Sequence, residues 1–192
     1  MYINIRREKF LSPDTLPKDI VSSYQHEFES PIVAVKLDNA LHDLQTPVGK
    51  ARNLEFIERN SDDGWIIYRR SMAFLLIMAV HELDPNAEVV AKFRANNGLY
   101  CEMNLLGKCL TREMVTSVER TMRRLVEADL PIEKHVMTRE DAIKLFKNTK
   151  QIEKANLIAM LDKERVSVYC CNGHYDYLYG AMLGRTGALK RF

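Results

Sequence analysis

The stretch Trp65–Glu82 constrains this chain more than any other, because apolar residues fall on nearly every side of it once it is wound as a helix. A helix that is hydrophobic all round has no face for water, so the pattern predicts a helix at the centre of a core. Its apolar run, Ser71–Val80, covers about half of the roughly 20 residues that a bilayer-spanning helix needs, and a membrane partner is not expected. The opening Met1-Tyr-Ile-Asn-Ile-Arg-Arg has neither the apolar centre nor the cleavage pattern of a secretory signal. A cytoplasmic location follows as the expectation. Cys101, Cys109 and the adjacent pair Cys170 and Cys171 are then expected as free thiols.

The 192 residues fit one large domain or two small ones. The polar cluster Asn60-Ser-Asp-Asp-Gly64 is the strongest boundary signal, and it predicts domains over 1–61 and 62–192. In the first, a strand is predicted at Tyr2–Ile5, turn chemistry at Ser12-Pro-Asp, and a short helix from Leu16 to about Phe28. Strands follow at Pro31–Leu37 and Leu54–Ile57, with a turn at Asp38-Asn-Ala-Leu between them. Several strands around one helix make a small α+β unit. In the second domain, strands at Glu88–Arg94 and Leu99–Asn104 flank Ala95-Asn-Asn-Gly98, where Asn and Gly accept the positive φ of a tight hairpin.

An amphipathic helix is predicted over Thr111–Ala128, with Val115, Val118, Met122 and Leu125 as its buried stripe. A strand at Pro131–Met137 precedes Thr138-Arg-Glu-Asp141, whose spacing is that of a capping box. That helix would bury Ala142, Leu145 and Phe146. A further helix at Gln151–Leu161 leads to the alternating strand Arg165–Cys171. The fold class expected is α+β, with antiparallel sheets packed by helices.

Charge narrows function little. With 28 Lys and Arg against 26 Asp and Glu, the net charge is +2, and a nucleic-acid interface would need a local basic patch. The sequence Gly184-Arg-Thr-Gly187 with Lys190-Arg191 is a candidate phosphate contact, but it lacks the phosphate-cradling P-loop pattern, which occurs nowhere in the chain. Tyr175, Tyr177 and Tyr179 alternate, and so share one face of an extended segment, where they either stack on a base or line a half-exposed sheet.

The order of elements, with Asn97-Gly98-Leu99-Tyr100, the helix around Glu119–Arg124 and the pair Cys170/His174, resembles the second additional domain of threonyl- and alanyl-tRNA synthetases. Those domains hydrolyse mischarged tRNA. The first sixty residues resemble the TGS domain, a ubiquitin-like β-grasp unit that precedes it in threonyl-tRNA synthetase. The resemblance implies an editing centre built from Ser-x-x-His-x-x-x-His on the long helix and a Cys and His four apart near the last strand. Here the helix reads Ser71-Met-Ala-Phe74-Leu-Leu-Ile-Met78. Phe74 is neither base nor ligand, and a Met thioether suits Zn²⁺ poorly. Val168 stands where an acidic residue is expected, while Cys170 and His174 keep their spacing. Five positions, Phe74, Met78, Val168, Cys170 and His174, therefore mark a vestigial editing pocket. No catalytic residue is expected. Cys170 and His174 are the sole metal-ligand candidates, with small core residue and turn residue as the competing readings.

The segment Tyr68–Val80 and the junction Leu54-Glu-Phe-Ile…Asp-Gly64 also resemble the phosphoribulokinase/uridine kinase family, in whose bacterial members TGS and editing-like domains precede a P-loop kinase. This resemblance implies a non-catalytic N-terminal binding or regulatory module for RNA, tRNA or a nucleotide, partnered with its own C-terminal kinase domain. ATP and Mg²⁺ would then belong to that domain, and no cofactor is expected in this chain. Two alternatives stand beside it: an editing hydrolase of the threonyl-tRNA synthetase type, and a dimerisation scaffold that makes a homo-oligomer.

Overall fold

Ser61 starts the longest helix by closing the polar cluster that precedes it. Its hydroxyl accepts a hydrogen bond from Gly64 N at 3.1 Å, and Asp62 and Asp63 sit in the first turn, where a helix favours negative charge. The helix ends at Asp84, held extended because Pro85 follows it. The computed structural model describes residues 2–4, 11–95, 98–104 and 109–192. By their internal packing they form two units, Met1–Leu130 with Gly180–Phe192, and Pro131–Tyr179. The architecture is α+β, with small antiparallel sheets packed by helices.

The first unit begins with β1 (Tyr2–Asn4), α1 (Pro17–Tyr24), β2 (Ile32–Leu37), β3 (Ala40–Asp43) and β4 (Asn53–Glu58). The strands form one sheet in the order β1-β4-β2-β3, every pair antiparallel. Helix α1 lies on one face, where Ile20, Val21 and Tyr24 pack on Val35, Leu54 and Phe56. The turn expected over Asp38–Leu41 is shorter than the sequence suggested. Only Asp38 and Asn39 carry positive φ (46° and 71°), the signature of a two-residue hairpin turn. Ala40 and Leu41 already pair with Leu37 and Lys36, so β3 begins inside the expected turn. Ile5 of the first predicted strand lies outside the described residues.

The long helix is α2 (Asp62–Leu83). It packs against β2 and β4, against β5 (Glu88–Ala95), which pairs with β6 (Gly98–Asn104), and against α3 (Arg112–Glu127). The turn expected at Ala95–Gly98 falls on residues 96–97, outside the described set. Helix α3 is capped by Thr111, whose side chain accepts from Met114 N. It buries Val118, Met122 and Leu125 as predicted, together with Thr121. Val115 departs from the prediction: it is 50% exposed, one turn before the stripe meets the core. No helix among the described residues is long and apolar enough to cross a membrane.

The chain returns to this unit at Gly180. Arg70 Nη1 donates to Ala181 O at 2.5 Å, and buried Ser71 accepts from Leu183 N at 2.9 Å while donating to Ile67 O. Thr186 is wholly buried. Its hydroxyl donates to Leu125 O (2.7 Å) and accepts from Leu130 N (2.8 Å), and its amide donates to Leu130 O (2.9 Å).

The second unit is contiguous: β7 (Glu133–Thr138), α4 (Arg139–Asn148), α5 (Ile152–Ala159), β8 (Arg165–Cys171) and β9 (His174–Asp176). The expected helix start holds, with Thr138 as its N-cap: Thr138 Oγ1 accepts from Asp141 N at 3.1 Å and donates to its carboxylate at 2.6 Å. The sheet order is β7-β8-β9. Val166 and Val168 pack on Ala142, Phe146, Ala155 and Ile158 of the two helices.

Candidate functional site

Phe74 and Met78 lie one turn apart on α2 and share a face of it. Both are buried, Phe74 at 0% and Met78 at 5% exposure. Burial of this kind stabilises a large apolar side chain by about 2–3 kcal/mol, and it is what those positions do here. Ser71, the first residue of the same motif, spends its hydroxyl on two backbone groups.

Val168, Cys170 and His174 belong to the second unit. Asn172 and Gly173 have φ of 50° and 78°, so they form a tight two-residue turn joining β8 to β9. The register then pairs Cys171 with His174, Cys170 with Tyr175 and Tyr169 with Asp176. Directly opposed residues share a sheet face, and neighbours along a strand alternate. Cys170 therefore faces the side of Tyr175 and of Glu133, its partner on β7, whereas His174 faces the side of Cys171. Val168, wholly buried, sits on the Cys170 side within the helix-packed core. The spacing of four puts residues on one face in a helix, but around a two-residue turn it puts them on opposite faces.

What gathers round Cys170 is a different set. Tyr175 hydrogen-bonds to it, and that bond, with the electrostatic interaction between the two groups, burial and the nearby Glu133, raises the phenol's pKa above its ordinary value. His135 Nε2 lies 3.5 Å from Glu133 Oε2, and its ring centroid is 6.3 Å from that of Tyr175. Burial, then the neighbouring Cys170 and Glu133, pushes the Cys171 thiol up to about 11. A nucleophilic cysteine needs a lowered pKa, so Cys171 is held as a neutral thiol. No group of three or more His, Cys, Asp or Glu among the described residues is arranged to hold a metal ion.

A buried ion pair escaped the sequence reading. Asp176, with a side chain 1% exposed, receives Lys154 Nζ at 2.6 Å, and Gln151 of the same helix end donates to Tyr175 O. The one signal was alternation: if Tyr175 and Tyr177 share a face, Asp176 must point the other way. The phosphate candidate Gly184–Gly187 resolves into a clasp. Gly187 N donates to Asp129 Oδ1 at 3.1 Å and Arg185 Nε to Asp129 Oδ2 at 2.9 Å, so a carboxylate of the chain itself holds the groups an anion would need.

No family model matches the chain. It is 31% identical over 185 residues to the threonine–tRNA ligase of Syntrophotalea carbinolica, covering 96% of this chain and 29% of that protein. The ligase of Sulfurihydrogenibium sp. is 29% identical over 180 residues (90% and 28%), and that of Coxiella burnetii 32% over 174 residues (90% and 27%). The chain spans less than a third of the length of these curated relatives. With Phe74, Met78, Val168, Cys170 and His174 placed as above, its similarity is to the N-terminal region of threonine–tRNA ligases.

Proposed function

We propose that this chain is a module of the threonyl-tRNA synthetase editing type that engages aminoacyl-tRNA without hydrolysing it. In this reading residues 1–61 are the TGS-like β-grasp part and 62–192 the editing-like part. The observation that carries it is the combination of similarity along 96% of the chain with apolar packing at Phe74 and Met78. Ester hydrolysis needs a base to activate water, with a pKa near the working pH. Neither α2 position supplies one, and Cys170 and His174 point to opposite faces of their sheet.

The test is deacylation and binding of aminoacyl-tRNA by the purified chain. Saturable binding with no acceleration of ester hydrolysis is the expected result. Hydrolysis that disappears in both Cys170→Ala and His174→Ala would overturn it in favour of a working editing hydrolase. A second reading, the N-terminal module of a uridine kinase-like protein, is favoured by the local sequence Tyr68–Val80. A P-loop in the gene sequence beyond Phe192 supports it, and a synthetase catalytic core there removes it.

A further inference from the structure

Outside the editing-type residues, the first unit presents a connected row of aromatic and basic side chains. The Trp65 ring packs edge-on against Tyr68, with centroids 5.7 Å apart. Tyr68 Oη in turn accepts from Arg191 N at 2.9 Å and lies 3.3 Å from Arg191 O. This grips the backbone next to Phe192, and Arg123 Cζ stands 5.2 Å from the Phe192 ring centre. Trp65 and Phe192 remain 46% and 42% exposed, so each ring keeps accessible surface while its other side is braced. Arg69 follows Tyr68 on α2, Arg120 lies one turn before Arg123 on α3, and Lys190 adjoins Arg191. None of Arg69, Arg120, Lys190 and Arg191 has a carboxylate partner among the described residues, whereas Arg123 is paired with Glu119 at 2.6 Å.

Exposed rings beside unpaired cations favour a ligand with flat faces and repeated negative charge. An acidic peptide would use the cations and leave Trp65 and Phe192 idle. A duplex would present phosphates but keep its bases stacked inside. An unpaired strand offers both, since every base has a π-face and every linkage a phosphate. We infer that the Trp65–Tyr68–Arg191–Phe192–Arg123 surface binds single-stranded nucleic acid, bases stacking on Trp65 and Phe192 and phosphates meeting Arg191, Lys190 and Arg120. The inference stands on these residues and is independent of the editing-type reading.

Fluorescence anisotropy with a short labelled single-stranded RNA tests it on the whole chain, with an RNA hairpin stem of the same composition as the duplex control. Binding should weaken with salt, with a log–log slope near −2 if about three phosphates are engaged. Trp65→Leu and Phe192→Ala should each weaken binding about tenfold or more, while Trp65→Phe, which keeps a ring, retains most of it. Lys190→Glu with Arg191→Glu should lower the affinity, while Lys144→Glu with Lys147→Glu on α4 leaves it unchanged. Equal melting temperatures of Trp65→Leu and Trp65→Phe separate lost stacking from lost folding. Absence of salt-dependent binding, equal affinity for the duplex, or wild-type affinity in both ring-deleted variants would overturn the inference. Such a failure leaves aminoacyl-tRNA deacylation and binding to be judged by their own assay.

Discussion

Cys171 shows what burial does to a reactive group. Its thiol is pushed up to about 11, first by loss of water and then by Cys170 and Glu133. In the unfolded chain a cysteine titrates near 8.5. The folded state therefore holds its proton more tightly, and the contribution is fully present below the unfolded value. As pH rises from about 8.5 toward 11 the unfolded state sheds its proton first, so stability falls across that window. Denaturant midpoints measured from pH 8 to 10.5 should decline, and Cys171→Ala should flatten the decline. The residue types at Phe74, Met78 and Val168 were legible directly, because an apolar side chain has no acid–base chemistry wherever it sits. The facing of Cys170 and His174 was not, because it depends on a turn length that fixes which strand residues oppose one another.

At the scale of elements, the joint between β4 and α2 leaves no room for a side chain at Gly64. A methyl group on Gly64 would come within 2.1 Å of Glu58 O and 2.6 Å of Arg59 O, and both are backbone atoms that cannot rotate away. Gly64→Ala is therefore expected to lower stability by about 2–3 kcal/mol through overcrowding, although alanine ordinarily favours a helix. Chemical denaturation reads this directly, and an unchanged midpoint would show that the joint can open. Helices were the most legible elements: α2, α3 and α4 each carry a capping side chain at a position the sequence displays, Ser61, Thr111 and Thr138. Short strands were less so. Ala40–Asp43 has mixed polarity and becomes a strand only because the turn at Asp38-Asn39 delivers it to β2. Val115 fits the helical period but lies beyond the surface that α3 covers, a fact of tertiary placement rather than of period.

At the scale of the molecule, the α+β class followed from element types, but the path of the chain did not. In sequence, Pro131–Tyr179 interrupts the other unit, and one of the side chains that tie the two flanking parts together, Thr186, sits in the segment Gly184–Gly187, whose sequence suggests a phosphate contact instead. Thr186→Val keeps the shape while removing the hydroxyl that serves Leu125 O and Leu130 N. An amide left without its partner costs about 1–3 kcal/mol, so this variant should unfold at lower denaturant while Thr186→Ser stays close to wild type. Equal midpoints for the two would show that the amide finds another acceptor.

The return of the chain at Gly180 also sets an order of events during synthesis. Ala181, Met182, Leu183 and Leu189 are buried against a body whose other residues leave the ribosome first. Pro131–Tyr179, being continuous, can close as soon as it has emerged. The larger unit waits for Gly180–Phe192 to emerge, so it is completed only after the unit inserted within it.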